Sequence, residues 1–250
     1  MISISSCNKL TELVPVDVDL MIGKQFSNQM EVMPAMGGTI LPEKGNEEAY
    51  KYLNNIKNKL LNSKSIKYKD AFPYELRIIK EDSVLNAFCV AGGYIYVYTG
   101  IIKFLDNEAE LAGVMAHEIA HAELRHTTIR LVSEYGLSVI ISLAIGADPG
   151  ILVNIGKELL GLSFSRGDES DADARAVAYM YDTDYDPRAV GGFFKKVLLR
   201  NKDAKVPEFL STHPASDNRV SHIEEEWAKL GGKQGELYQI KYAKLKELLK

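Results

Sequence analysis

The chain has 250 residues, 46% of them hydrophobic and 26% charged, with a net charge of −4 and a pI near 5.8. That is enough to bury a large core without staples, and it excludes a disordered chain, a collagen-like repeat and a polytopic membrane protein. The lack of a basic excess argues against nucleic acid as a partner, and two cysteines cannot build a disulfide framework or a cysteine zinc ribbon.

At the N-terminus, six residues before Cys7 leave no room for the apolar stretch of a signal peptide. Ile4-Ser5-Ser6-Cys7 nevertheless resembles a bacterial lipobox. It predicts a lipid anchor at Cys7 on a chain that begins inside its signal; the alternative is a free cysteine in a frayed end. Residues 1–45, with Pro15, Pro34 and Pro42, read as an extended or loosely helical N-terminal extension. Tyr50, Leu53, Ile56 and Leu60 recur at helical spacing and predict a helix over 46–62.

Residues 74–80 and 84–90 read as short strands, with Cys89 a small core residue. Gly92-Gly93 reads as a turn or a bulge, and Tyr94-Ile95-Tyr96-Val97-Tyr98 as a strand of high β propensity. Asp106-Asn107 followed by Glu108 and Glu110 is a helix start, and the helix is predicted to run to about Tyr135 and stop at Gly136. The apolar stretch 137–147 is too short for a bilayer span of about twenty residues. It reads as a buried hairpin or a membrane-surface contact. Helices are predicted over 151–161, 166–182, 187–200, 217–230 and 235–249, with Asp186-Pro187 and Ser216-Asp217 as start signals. Strands first and helices after predict an α+β fold.

His117-Glu118-Ile119-Ala120-His121 lies well inside the predicted helix. Residues four apart share a helix face, so both imidazoles can reach one Zn²⁺. Glu118, about 100° round from His117, can approach the open side of the metal and take a proton from water. A metzincin would need a third histidine six residues beyond His121, where Thr127 stands. His126 lies about 180° from His117 on a continuous helix and reads as a surface or packing histidine.

Glu169 is the better third ligand. It shares a helix face with Asp173, and Ala172, Ala174 and Ala176 are small enough for close packing against the His117–His121 helix. Asp173 can then hydrogen-bond the distal nitrogen of a ligand histidine and fix its tautomer. The plainer reading of 168–173 is a solvated acidic helix start.

With these motifs in order, the chain resembles the HtpX / CAAX-prenyl-protease family of zinc metallopeptidases (gluzincins) over about residues 46–225. The resemblance rests on HEIAH, on the later Ser165-Arg166 with Glu169, Ala172 and Asp173, and on Asn86-Ala87-Phe88 with Gly92-Gly93 and Tyr94–Val97. In build it is nearest the soluble periplasmic BepA-like members. The resemblance implies a mostly helical zincin-like fold with a small mixed sheet whose edge strand borders the active-site cleft. It implies one Zn²⁺ per chain on His117, His121 and Glu169, Glu118 as general base and then acid, and Asp173 behind the ligands or as proton donor. It further implies that the edge strand at Gly93, Tyr94, Ile95 and Tyr96 pairs with extended substrate. His213, before Pro214, would lie over the metal, blocking it or supporting the oxyanion; the duller alternative is a capping or loop histidine. Arg219 would pair with an acid near the site or supply oxyanion support; the duller alternative is a surface salt bridge.

Function and organisation follow as expectations. The domain would span 46–230, with a C-terminal helix over 231–250. The activity would be endoproteolysis of unfolded or flexible polypeptides in envelope quality control, in the bacterial periplasm. A zinc-retaining chaperone or assembly factor with little proteolysis is the rival, and a membrane-associated prenyl-peptide protease is a third possibility.

Overall fold

The computed structural model describes residues 14–32, 38–145, 163–199, 207–214 and 218–250. Cys7, the expected helix over 151–161 and the start signal at Ser216-Asp217 lie outside them. Described elements follow the α+β order: helix α1 Val16–Val32, strand β1 Thr39–Ile40, helix α2 Glu47–Leu61, then strands β2 Leu76–Lys80, β3 Ala87–Val90 and β4 Tyr94–Tyr98. Helices α3 Thr99–Phe104, α4 Glu108–Glu123, α5 His126–Tyr135 and α6 Leu137–Ala144 come next. They are followed by α7 Arg166–Tyr181, α8 Gly192–Leu198, α9 Glu208–Thr212, α10 Arg219–Lys229 and α11 Gln239–Leu248. The protein is mostly helical with one small mixed sheet.

Helix α1 forms where the sequence reads as extended or loosely helical. Val18, Ile22, Phe26 and Met30 recur every fourth residue, and all four are buried. Gly23 lets α1 approach closely, since a Cβ there would stand 2.0 Å from the Ala91 carbonyl oxygen. The turn after β3 needs left-handed backbone at Gly92 (φ 73°) and Gly93 (φ 82°), which glycine adopts without steric cost.

The sheet order is β1-β2-β4-β3, with β2 and β4 parallel and the other pairs antiparallel. This corrects one expectation. Ile95 and Tyr96 pair on both sides, with β2 and with β3, and Tyr94 pairs with Val90 of β3, so β4 is interior and the edge on this side of the sheet falls on Ala87–Val90. All five β4 residues are buried. Tyr94, Tyr96 and Tyr98 pack with Phe26 and Met30 of α1, whereas Ile95 and Val97 face the main core.

Helix α4 is the hub of that core, and every residue from Glu108 to Glu123 except Glu110 is buried. The first of its buried acids, Glu108, is held by the hydroxyls of Tyr52 and Tyr185 and by Lys241 of α11. The expected single helix from Asn107 to Tyr135 is broken. Arg125 adopts a left-handed conformation (φ 59°) that ends α4 and starts α5 in a new direction. A non-glycine residue there costs about 1–2 kcal/mol. Its side chain is correspondingly tied down: Nε and Nη2 donate to Asp19 Oδ2 of α1 at 2.9 and 2.6 Å, and Nη2 donates to the Pro15 carbonyl. Thr128 donates to the other oxygen of Asp19. Helix α5 stops at Gly136, as expected, with φ 84°.

Helix α6 packs Ile140 with Val14, Val18 and Ile22, and no helix among the described residues is long and apolar enough to cross a membrane. The single tryptophan, Trp227, sits near the end of α10, donates from Nε1 to the Lys233 carbonyl, and lies 4.7 Å beneath the Arg188 guanidinium.

Candidate metal centre

Two capped helices carry the site. Asn107 caps α4 by accepting from the Glu110 amide, with Glu108 and Glu110 in the first turn. Ser165 caps α7 in a capping box with Asp168. Ala172 and Ala176 are fully buried at the α4–α7 contact, and their size lets the two backbones approach.

Four side chains from α4, α7 and the end of α9 converge: His117, His121, Glu169 and His213, all buried. His117 Nε2 lies 3.0 Å from His121 Nε2, 3.3 Å from His213 Nδ1 and 3.4 Å from Glu169 Oε2. Glu169 Oε1 lies 3.4 Å from His121 Nε2 and 2.9 Å from His213 Nδ1. Donors about 2.0–2.2 Å from a tetrahedral ion stand about 3.3–3.6 Å apart, so the cluster has the size of one such site. Its chemistry fits equally well, with three nitrogens, a carboxylate and no thiolate.

Glu118 points to the same place. Its Oε2 accepts from the Cys89 amide at 3.0 Å. Its Oε1 is buried, makes no hydrogen bond among the described residues, and lies 3.4 Å from His213 Nε2. A buried carboxylate oxygen without a protein hydrogen-bond partner, beside a ligand cluster, is placed to handle a proton there.

The surroundings set the charges. Burial pushes the Glu118 carboxyl above its ordinary value, while His213 and His117 pull it back. Burial also opposes ionisation of Glu169, yet His213, His117 and His121 outweigh it and hold that carboxyl far below the usual range. Burial, helped by the neighbouring His117 and His213, outweighs the pull of Glu169 and takes His121 well down, which favours the neutral form that a ligand needs. For His117 burial is outweighed by hydrogen bonds to Asp173 and Glu169, so its pKa rises to about 9; a cation binding there displaces a proton.

Asp173 Oδ1 stands 2.9 Å from His117 Nδ1, the distal nitrogen, as the spacing from Glu169 predicts. Arg219, at the start of α10, is buried. Its Nε and Nη2 donate to Asp173 at 2.8 and 2.6 Å, its Nη1 donates to Glu169 Oε2 at 2.6 Å, and its guanidinium lies 4.0 Å over the Phe194 ring. Glu169 and Asp173 are therefore not a solvated acidic face.

Of the residues expected to bind substrate, Tyr94, Ile95 and Tyr96 are committed to pairing within the sheet and Gly93 is buried in the turn. The strand bordering the cluster is β3, through the Cys89 amide on Glu118. The Phe209 amide of α9 donates to the Leu85 carbonyl just before β3, and the Phe209 ring stacks on His213 at 4.4 Å. His126 also departs from expectation. The break at Arg125 turns its ring back, so that His126 Nδ1 lies 2.9 Å from His121 Nδ1.

Comparison with known proteins gives a family and several relatives. The model of peptidase family M48 matches residues 47–227. The beta-barrel assembly-enhancing protease of Yersinia pestis is 27% identical over 222 residues, which cover 82% of this chain and 43% of that protein. The mitochondrial metalloendopeptidase OMA1 of Schizosaccharomyces pombe is 30% identical over 218 residues, covering 84% of this chain and 62% of that one. The metalloprotease LoiP of Escherichia coli K12 is 29% identical over 197 residues, 74% of this chain and 72% of its own. The chain thus spans less than two thirds of the first two.

Proposed function

The chain belongs to peptidase family M48, and from that premise we propose that it is a zinc metalloendopeptidase of unfolded or flexible polypeptides. The observation that carries this is the buried His117–His121–Glu169 cluster with the unbonded Glu118 Oε1 beside it. Bound Zn²⁺ supplies Lewis-acid polarisation of a carbonyl and a water acidic enough to attack at neutral pH. Glu118 takes the proton from the attacking water on Oε1 and delivers it to the leaving amine, while the Cys89 amide holds its other oxygen. Asp173 keeps the His117 ring oriented through Nδ1. Arg219 balances the two carboxylates, Glu169 and Asp173, and we assign it that task rather than direct contact with the oxyanion.

Substrate is taken as an added strand. The outer side of β3 (Ala87–Val90) has no strand partner among the described residues, so an extended peptide can pair there through its backbone. Backbone pairing recognises any chain that is locally unfolded, which supports a broad substrate class. The interior residues Tyr94–Tyr96 then support the docking strand from behind.

His213 is proposed as a latch. Its Nδ1 stands among the ligand atoms, in the space an incoming carbonyl needs, and Phe209 and the Leu85 carbonyl hold its segment against the sheet. His213→Ala is therefore expected to raise the rate of casein cleavage. An unchanged rate counts against the latch, and a lower one assigns His213 to support of the oxyanion. The same latch favours a second reading, a zinc-retaining chaperone. If neither form cuts casein while the wild type suppresses aggregation of an unfolded protein, that reading holds.

We assign the protein to the bacterial periplasm and to envelope quality control, tethered through Cys7. The support is the lipobox-like Ile4–Cys7 and the likeness to a beta-barrel assembly-enhancing protease. Cys7→Ala in the full-length gene product should move the protein from the membrane to the soluble fraction. A wild type already soluble overturns the anchor.

A further inference from the structure

We propose that His126 is a positioning residue for the metal ligand His121, the counterpart of Asp173 on His117; the inference rests on the zinc reading above. The two ligand rings need the same service, because an imidazole that binds metal through Nε2 is free to swing about its Cβ–Cγ bond and to choose the wrong tautomer. A partner on Nδ1 stops both. For His117 that partner is a carboxylate on the neighbouring helix, Asp173 at 2.9 Å. Around His121 Nδ1 the partner is another histidine, His126 at 2.9 Å, with ring centroids 4.9 Å apart and planes at 71°.

The contact is built, not incidental. On a continuous helix His126 would project about 140° away from His121. It reaches back only because the chain turns left-handed at Arg125, the residue that Asp19 and the Pro15 carbonyl hold from α1. A left-handed backbone conformation that a non-glycine residue disfavours is thus held by a buried ion pair, and its local effect is to bring one imidazole onto another. Phe164 closes the other side, stacked on His121 at 4.1 Å.

The protons can be placed. With His121 Nε2 directed to the metal, its Nδ1 carries hydrogen and donates to His126 Nδ1. His126 then carries its own hydrogen on Nε2, which faces Asp168 Oδ1 at 3.8 Å. This fixes His126 as an acceptor toward the ligand, and the acceptor is what a substitution must keep or remove. Asparagine presents an oxygen near the position of Nδ1 but loses volume; phenylalanine keeps the ring volume and has no acceptor.

The two roles open to a buried histidine therefore rank these variants oppositely. If His126 orients His121, His126→Phe should weaken zinc binding about 10–100-fold, and His126→Asn should stay within about threefold of wild type on the same scale. If His126 only fills space, the asparagine variant should be the weaker binder and should also melt lower without metal. The measurement is zinc affinity by competition with a chromophoric chelator at fixed pH, together with the melting temperature of the metal-free proteins. Should His126→Phe not fold, His126→Ala removes the same acceptor and is compared with His126→Asn, which must bind more tightly. Equal affinity in all forms, or weaker binding by the asparagine variant, overturns the proposal. A wild type that binds no zinc overturns the metal site itself, a separate result read from the control.

Discussion

Glu118→Gln is expected to retain one zinc per chain and to lose about 10²–10⁴-fold in the rate of casein cleavage, or about 2.7–5.5 kcal/mol of transition-state stabilisation. The substitution is isosteric, and its amide oxygen can still accept from the Cys89 amide that Oε2 now accepts from. Packing along the wholly buried part of α4 is therefore preserved, and the metal ligands should not move. What disappears is a basic oxygen where Oε1 lies, buried and unbonded beside the ligand cluster. Burial raises the Glu118 pKa above the ordinary carboxyl value, which brings it closer to the range of a useful general base. Metal content by elemental analysis and cleavage rate are measured on the same preparation. Full activity in the glutamine variant would sink the mechanism, whereas loss of both zinc and activity would make Glu118 a structural residue.

The second large effect concerns Glu169→Ala. Wild type should carry close to one zinc per chain and the variant very little. The loss should exceed the 10–100-fold typical of removing an outer partner, because a ligand itself is removed. The substitution also takes away the partner of Arg219 Nη1 and one contact each of His117, His121 and His213. Arg219 keeps both of its bonds to Asp173, so the guanidinium is not left unpaired. A collapse of the fold is not the expected cause of metal loss, and an unfolding curve for the metal-free proteins checks this. Equal zinc in both proteins would mean that His213 completes the ligand set.

The chemistry was legible in sequence where it depends on spacing along one helix. His117, Glu118 and His121 share a face by periodicity alone, and Glu169 with Asp173 do the same on α7. The caps at Asn107 and Ser165 and the stop at Gly136 are equally local. What escaped is long-range. Leu124 and Arg125 carry no glycine or proline to announce a break; the left-handed turn exists because Asp19, 106 residues earlier, holds Arg125. Periodicity along an unbroken helix consequently places His126 on the wrong side. Strand β4 is a different case, since its signal was present. An unbroken run of tyrosine, isoleucine and valine is what a strand buried on both faces looks like, whereas the family resemblance implies an edge there. Helix α1 was hidden by polar residues between its apolar positions, although Val18, Ile22, Phe26 and Met30 keep a strict interval.

The position of Trp227 gives the molecule a built-in optical probe. It is the only tryptophan in the chain, so intrinsic emission excited at the red edge of protein absorption comes from one place. That place is two turns along the same helix from Arg219, with the indole hydrogen-bonded to the Lys233 carbonyl and covered by Arg188. A helix this short moves as a rod. A movement of this helix that carries Arg219 away from Glu169 and Asp173 would also carry the indole past its two neighbours, and quantum yield and wavelength should follow. Stopped-flow fluorescence can therefore time such a movement without a label, and can separate it from peptide hydrolysis.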